Sequence, residues 1–264
     1  AAQVGYSKIP EGRRVAATRG IVGLLLGTST AEAVAARGRR GAALVATAGG
    51  VGFTTELVGV ATGRPVGHYG YSALLGPRIR GVPVAAAAAW AMMARPSWVA
   101  GGWAVRGVRG RRRRRVLHVA AASAALTAWD VFLDPRMVRE GYWTWPGGGR
   151  YAGVPASNFA GWFATSAVVF GTWAALGAGE PDARDDEALA LYAWTWAGET
   201  FANLALWRQP LVAAAGSTAM GLVLVPAVRG RRAATDAAVP AAAPAAPRSP
   251  FLVASARRRL RTVA

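Results

Sequence analysis

The chain has 264 residues, of which 53% are hydrophobic and only 17% charged, where a soluble domain carries about 25% charged residues. It contains no cysteine, which excludes disulfides, thiolate metal sites and cysteine nucleophiles. A formal charge of +18 would suit nucleic acid, but the arginines gather in short loops and in the tail. Between them lie apolar stretches of ~20 residues, the distribution of orienting charges in a membrane protein, so no nucleic-acid partner is expected.

Apolar length predicts an all-α fold, a polytopic integral membrane bundle of about six to seven transmembrane helices. The spans are 15–36, 41–62, 82–105, 116–133, 158–178, 188–206 and 210–228. The first is weak, because Arg19 and Glu32 leave a short apolar centre. The third is interrupted by Arg95 and Pro96, so it reads as one kinked span or as a re-entrant segment. The fifth and seventh are the cleanest, with no internal charge. Arginines cluster at 37–40, in the loop 106–115 with its run Arg111 to Arg115, and after Arg229. Seven spans put these three on one side, which positive-inside bias makes cytoplasmic in a multi-pass protein of the cell membrane. Residues 1–232 form the membrane-embedded catalytic domain. Residues 233–264 read as a disordered Ala/Pro-rich tail, whose basic end is either solvated or drawn to anionic head groups of membrane lipid.

Acids inside spans are costly, and retaining one usually has a functional or pairing reason. Glu56, Asp130 and Glu199 lie in the second, fourth and sixth spans, each beyond the midpoint, so all three point toward one face of the membrane. Ion pairing with Arg95 is the structural alternative. Asp134 follows Asp130 by one helical turn, but Pro135 biases its predecessor out of the helix, so Asp134 either caps the loop or joins the site. The loops 63–81 and 134–157 are separated by two spans and therefore share that same face. The first carries His68, Tyr69 and Tyr71. The second carries Trp143, Trp145 and Tyr151, with Asn158 and Trp162 just beyond. Each aromatic alone could be interfacial belt; two such loops above buried acids suggest a pocket.

No Walker loop, dinucleotide fingerprint or zinc motif is present, so no cofactor and no metal site is expected. His118, after the arginine run, reads as interfacial. Asp130 with Asp134, or Asp182, Asp185 and Asp186 in an exposed loop, would be the magnesium ligands of a metal-dependent prenyl-transferring or cyclising enzyme. A carotenoid- or lipid-binding scaffold or transporter is the non-enzymatic alternative.

Two motif series carry a resemblance. One runs Glu56-Leu57-Val58-Gly59, Thr62-Gly63, Gly67-His68-Tyr69-Gly70-Tyr71, Leu75-Gly76, Gly81-Val82-Pro83 and Trp90. The other runs Trp129-Asp130, Asp134-Pro135, Gly141-Tyr142-Trp143-Thr144-Trp145, Tyr151-Ala152-Gly153-Val154-Pro155, Asn158 and Gly161-Trp162. Together they resemble the CruF-type carotenoid 1,2-hydratases over roughly residues 50–165. The resemblance implies a membrane hydro-lyase of carotenoid biosynthesis. It would add water across the terminal 1,2 double bond of an acyclic carotenoid, without an organic cofactor and with other pathway enzymes as candidate partners. Such a reaction needs a carboxylic acid to protonate the alkene and aromatic faces to shelter the cation. Asp130 or Glu56 is the expected acid, the other carboxylate orienting water. Asp134 and Glu199 are further candidates, and Asn158 would hold the water. His68, Tyr69, Tyr71, Trp143, Trp145, Tyr151 and Trp162 would bind substrate.

Overall fold

The computed structural model describes residues 9–238. Seven long α-helices run through them: α1 (Glu11–Arg37), α2 (Arg39–Thr62), α3 (Val84–Ala104), α4 (Arg111–Arg139), α5 (Ala156–Ala175), α6 (Asp186–Phe201) and α7 (Pro210–Ala238). They match the seven predicted spans, and the fold is an all-α bundle. Three helices, α2, α4 and α7, are long and apolar enough to cross a membrane. The fifth, expected to be among the cleanest, is not one of them: it lacks charge, but its tryptophans, Ser, Thr and Asn hold down its mean hydropathy. The third is one continuous helix, in keeping with its reading as a single span, since α3 continues through Arg95 and Pro96.

The chain divides into two compact units at Arg231. In the second, residues 232–238 are the end of α7, so helix reaches into the predicted tail. The rest of that tail, 239–264, lies outside the described residues.

Helix α3 is the centre of the first unit and packs against α1, α2, α4 and α6, while α5 packs on α4 and α2. Small residues make this closeness possible. A Cβ added at Gly101 would lie 2.4 Å from the backbone nitrogen of Ala122, so α3 and α4 meet there nearly backbone to backbone. A Cβ at Gly52 of α2 would lie 2.1 Å from Trp90 Cγ; the missing side chain is the space that Trp90 fills.

The turns assort into two ends as alternation requires. At one end, β1 (Gly70–Tyr71) pairs antiparallel with β4 (Trp143–Thr144), joining the two long loops, while β2 (Arg78–Ile79) and β3 (Val82–Pro83) form a small hairpin. At the other, Arg37 bonds Asp182 at 3.2 Å and also Asp185, Arg114 bonds Glu180 at 2.6 Å, and Arg231 bonds Asp186 at 2.6 Å. The acidic turn before α6 thus gathers arginines from several other segments. Asp185 is fully buried rather than in an exposed loop, and Asp182 closes a capping box. Hydrogen bonds from Arg184 and the nearby Arg37 hold the Asp182 carboxyl well below the usual range. Buried Arg95 belongs to this end: it bonds Glu32 of α1 at 3.0 Å and Asp185, and not Glu56, Asp130 or Glu199 as the alternative reading of those acids had it. His118 is buried rather than interfacial, stacked on Trp98 with Nε2 2.8 Å from the Trp98 carbonyl.

Candidate active site

Beneath the joined loops, three carboxyl groups from two helices meet. Helix α4 does not stop before Pro135 but runs on to Arg139, which keeps Asp130 and Asp134 on one helical face. Proline removes the amide that would bond Val131, four residues back. The Tyr151 hydroxyl donates to that carbonyl at 3.0 Å and takes the place of the lost bond. Burial, with the Asp130 charge adding to it, pushes the Tyr151 phenol up to about 12, so it stays a donor.

Asn158, near the start of α5, ties the two aspartates together. Its Nδ2 donates to Asp130 Oδ2 at 2.9 Å and, more closely, to Asp134 Oδ2. Trp143 Nε1 donates to Asp134 Oδ1 at 3.1 Å. Both aspartates are buried, and Asp130 Oδ1 has no hydrogen-bond partner among the described residues.

Glu56 of α2 faces this pair. Its Oε2 accepts from Tyr69 and, at 2.8 Å, from Tyr71; its Oε1 accepts from Trp90 Nε1 at 3.0 Å. Burial first and the Glu56 charge second push both phenols well above their ordinary range, so each remains a proton-bearing donor to Glu56. Among the described residues, no arginine or histidine forms an ion pair with Glu56, Asp130 or Asp134. Their partners are neutral amides, indoles and phenols.

Aromatic rings close the chamber. Trp90 and Trp162 stack with centroids 3.9 Å apart, and Trp129 meets Trp162 edge-on. On the loop side Tyr69 stacks on Trp145, while Tyr71 meets Trp143 edge-on across the β1–β4 pair. Trp145 Nε1 donates to the Val66 carbonyl at 3.1 Å, locking the two loops. The cavity, about 50 Å³, is lined by Glu56, Asp134, Asn158, Tyr69, Tyr71, Trp90, Trp143, Trp145 and Trp162, with an apolar side of Val22, Val66, Leu75, Ala85, Ala86, Ala89, Met92, Leu133 and Met137. That volume admits a few waters.

Most of the predicted residues therefore converge, with four departures. Asp130 lies behind Asp134 and Asn158 and is not on the cavity wall. Tyr151 supports α4 and packs edge-on against Phe159, also off the wall. His68 is exposed, its ring against Gly63. Glu199 is buried toward the same end, but its charged neighbours are Arg136 and Glu140 rather than the carboxyl cluster. It precedes a π-helical turn, Ala202–Leu206, in which Asn203 donates back to the Glu199 carbonyl at 2.9 Å. Sequence reading missed Trp90 as a Glu56 ligand and the apolar wall from α1 and α3. A tryptophan at a helix centre and scattered alanines carry no signal of their own.

Residues 19–228 match the family described as carotenoid biosynthesis protein. The chain belongs to that family. The match covers every residue of the chamber and leaves out only the two ends. No curated protein and no solved structure matches the chain. Family membership assigns the chain a role in carotenoid biosynthesis and a carotenoid-related substrate, and it agrees with the resemblance carried by the two loop motifs. Among the described residues, no group of three or more His, Asp or Glu side chains is arranged to hold a metal ion.

Proposed function

We propose that this carotenoid biosynthesis protein is a hydro-lyase that adds water across the terminal 1,2 double bond of an acyclic carotenoid, working as a multi-pass protein of the cell membrane. The observation that supports this most directly is the presence, in one aromatic-walled chamber, of two carboxyl groups on the wall, Glu56 and Asp134, neither of them ion-paired to an arginine or histidine among the described residues. Two carboxyls in contact hold a proton between them rather than both ionising. Asp130 and Asp134 are so placed, each bonded to the same Asn158 amide.

The chemistry follows. The Asp134 carboxyl gives its proton to C2 of the terminal alkene, and the π electrons form the new C–H bond. A tertiary cation remains at C1. The faces of Trp90, Trp162 and Trp143 stabilise it, since aromatic quadrupoles attract cations at the cost of no competing nucleophile. Water held by Glu56 and Asn158 attacks C1, and its spare proton passes to a carboxylate, which restores the acid. One water is consumed and no redox partner is needed. The phenols of Tyr69 and Tyr71 keep Glu56 oriented as an acceptor.

The test is expression in cells that accumulate lycopene. The proposal predicts pigment heavier by one water or two, according to whether one or both ends react. Unchanged pigment in cells that contain the folded protein would refute hydration and favour carotenoid binding or transport.

A further inference from the structure

The proposed reaction is at the end of a long linear polyene, so when the terminal double bond meets Asp134 the rest of the chain must leave the chamber by some side. Three sides are shut. The β1–β4 pair and Trp145 cover the top. The Trp90–Trp162–Trp129 group fills the α2–α4–α5 interior. Between α2 and α5, Val66 and Pro65 wedge against Gly161, where even a Cβ would come within 2.5 Å of Val66 Cγ1.

The fourth side is different. Val22 of α1 and Leu133 and Met137 of α4 all line the cavity, yet α1 and α4 barely touch. The floor between them is α3, which presents Ala85, Ala89 and Met92, at positions i, i+4 and i+7 on one helical face. Ala85 and Ala89 are half-buried, as a groove floor requires. The opposite face of α3, at Ala87 and Ala91, is taken by Gly49 of α2. Overhead, Tyr142 donates to Thr18 Oγ1 at 2.9 Å and Arg19 bonds the Leu74 carbonyl at 2.6 Å, roofing the gap on the loop side. What remains is a lateral, apolar slot.

We infer that the acyclic chain lies in the slot between α1 and α4 across Ala85 and Ala89 of α3, and that Ala89 is a specificity-determining residue because its small side chain leaves room for the polyene. The inference rests on the hydratase reading for the identity of the end group, but the slot stands as a binding feature apart from the reaction. A flat, rigid polyene needs a floor without branching side chains. An added methylene at such a position displaces the ligand, not the packed core behind it.

The experiment uses the full chain in lipid nanodiscs with lycopene, reading binding by quenching of tryptophan fluorescence and reaction by product mass. The series Ala89→Val, Ala89→Leu and Ala89→Phe is expected to weaken binding progressively, reaching about tenfold or more at Phe. Val168→Phe, on the exposed side of α5, is expected to bind and react as the wild type does. Wild-type binding by the Leu and Phe variants would overturn the slot, as would equal weakening in the Val168 variant. The Val variant keeps the test decisive should the larger ones fail to fold. Lycopene that quenches wild-type fluorescence but gains no water would refute the reaction and leave the slot intact.

Discussion

Asp134 shows how a local rule is overridden. A proline after it biases the chain out of helix, and the sequence alone left its role open between loop cap and site. The helix persists because Tyr151, sixteen residues beyond Pro135 in the chain, supplies a donor for the stranded Val131 carbonyl. That compensation has no sequence signature, so the better-placed carboxyl was ranked below Asp130. The acids themselves were legible, because a charge inside an apolar span stands out. Which of them reaches the cavity was not, because one helical turn separates Asp130 from Asp134 and only their packing against Asn158 distinguishes wall from backing. The consequence is a graded prediction. Asp134→Asn and Glu56→Gln are each expected to lower lycopene conversion by about a hundredfold or more, the usual worth of a positioned acid or base. Asp130→Asn is expected to cost less, about tenfold, since it acts through Asp134. Product analysis at matched protein levels checks the order, and a larger loss at Asp130 than at Asp134 would contradict it.

Among the elements, helices and strands differ in how far they could be foreseen. The seven helices follow from apolar length, the first only weakly because Arg19 and Glu32 shorten its apolar centre. The β1–β4 pairing does not, because strands of two residues have no periodicity to detect, although the shared face of the two loops followed from counting spans. The opposite end of the bundle was also misjudged. Arg95 looked like a helix interruption, yet it is the buried centre of a bridge from α3 to Glu32 on α1 and Asp185 before α6. Arg95 and Asp185 are buried and the Glu32 side chain is largely covered, which makes the bridge a fastening among elements and not a surface decoration. Removing one member of a buried charged cluster leaves the others uncompensated. Arg95→Ala is therefore expected to destabilise the bundle by about 3–5 kcal/mol. Thermal unfolding in detergent measures this, and an unchanged midpoint would show that the bridge contributes nothing.

Taken whole, the molecule separates two tasks by end. Arginines and the acidic turn before α6 fasten one end, and the two long loops close over an aromatic-walled chamber at the other, with α3 running between them. About half of the basic residues that first suggested nucleic acid lie at the fastened end. The central claim is that a buried carboxyl protonates an alkene inside a chamber walled by aromatic rings. Its most direct test is lycopene conversion by membranes containing the protein in deuterated water. The account predicts a tertiary alcohol carrying one deuterium on the carbon next to the hydroxyl-bearing carbon, absent with Asp134→Asn. An alcohol with no deuterium there, or the same labelled product from the Asp134 variant, would contradict it.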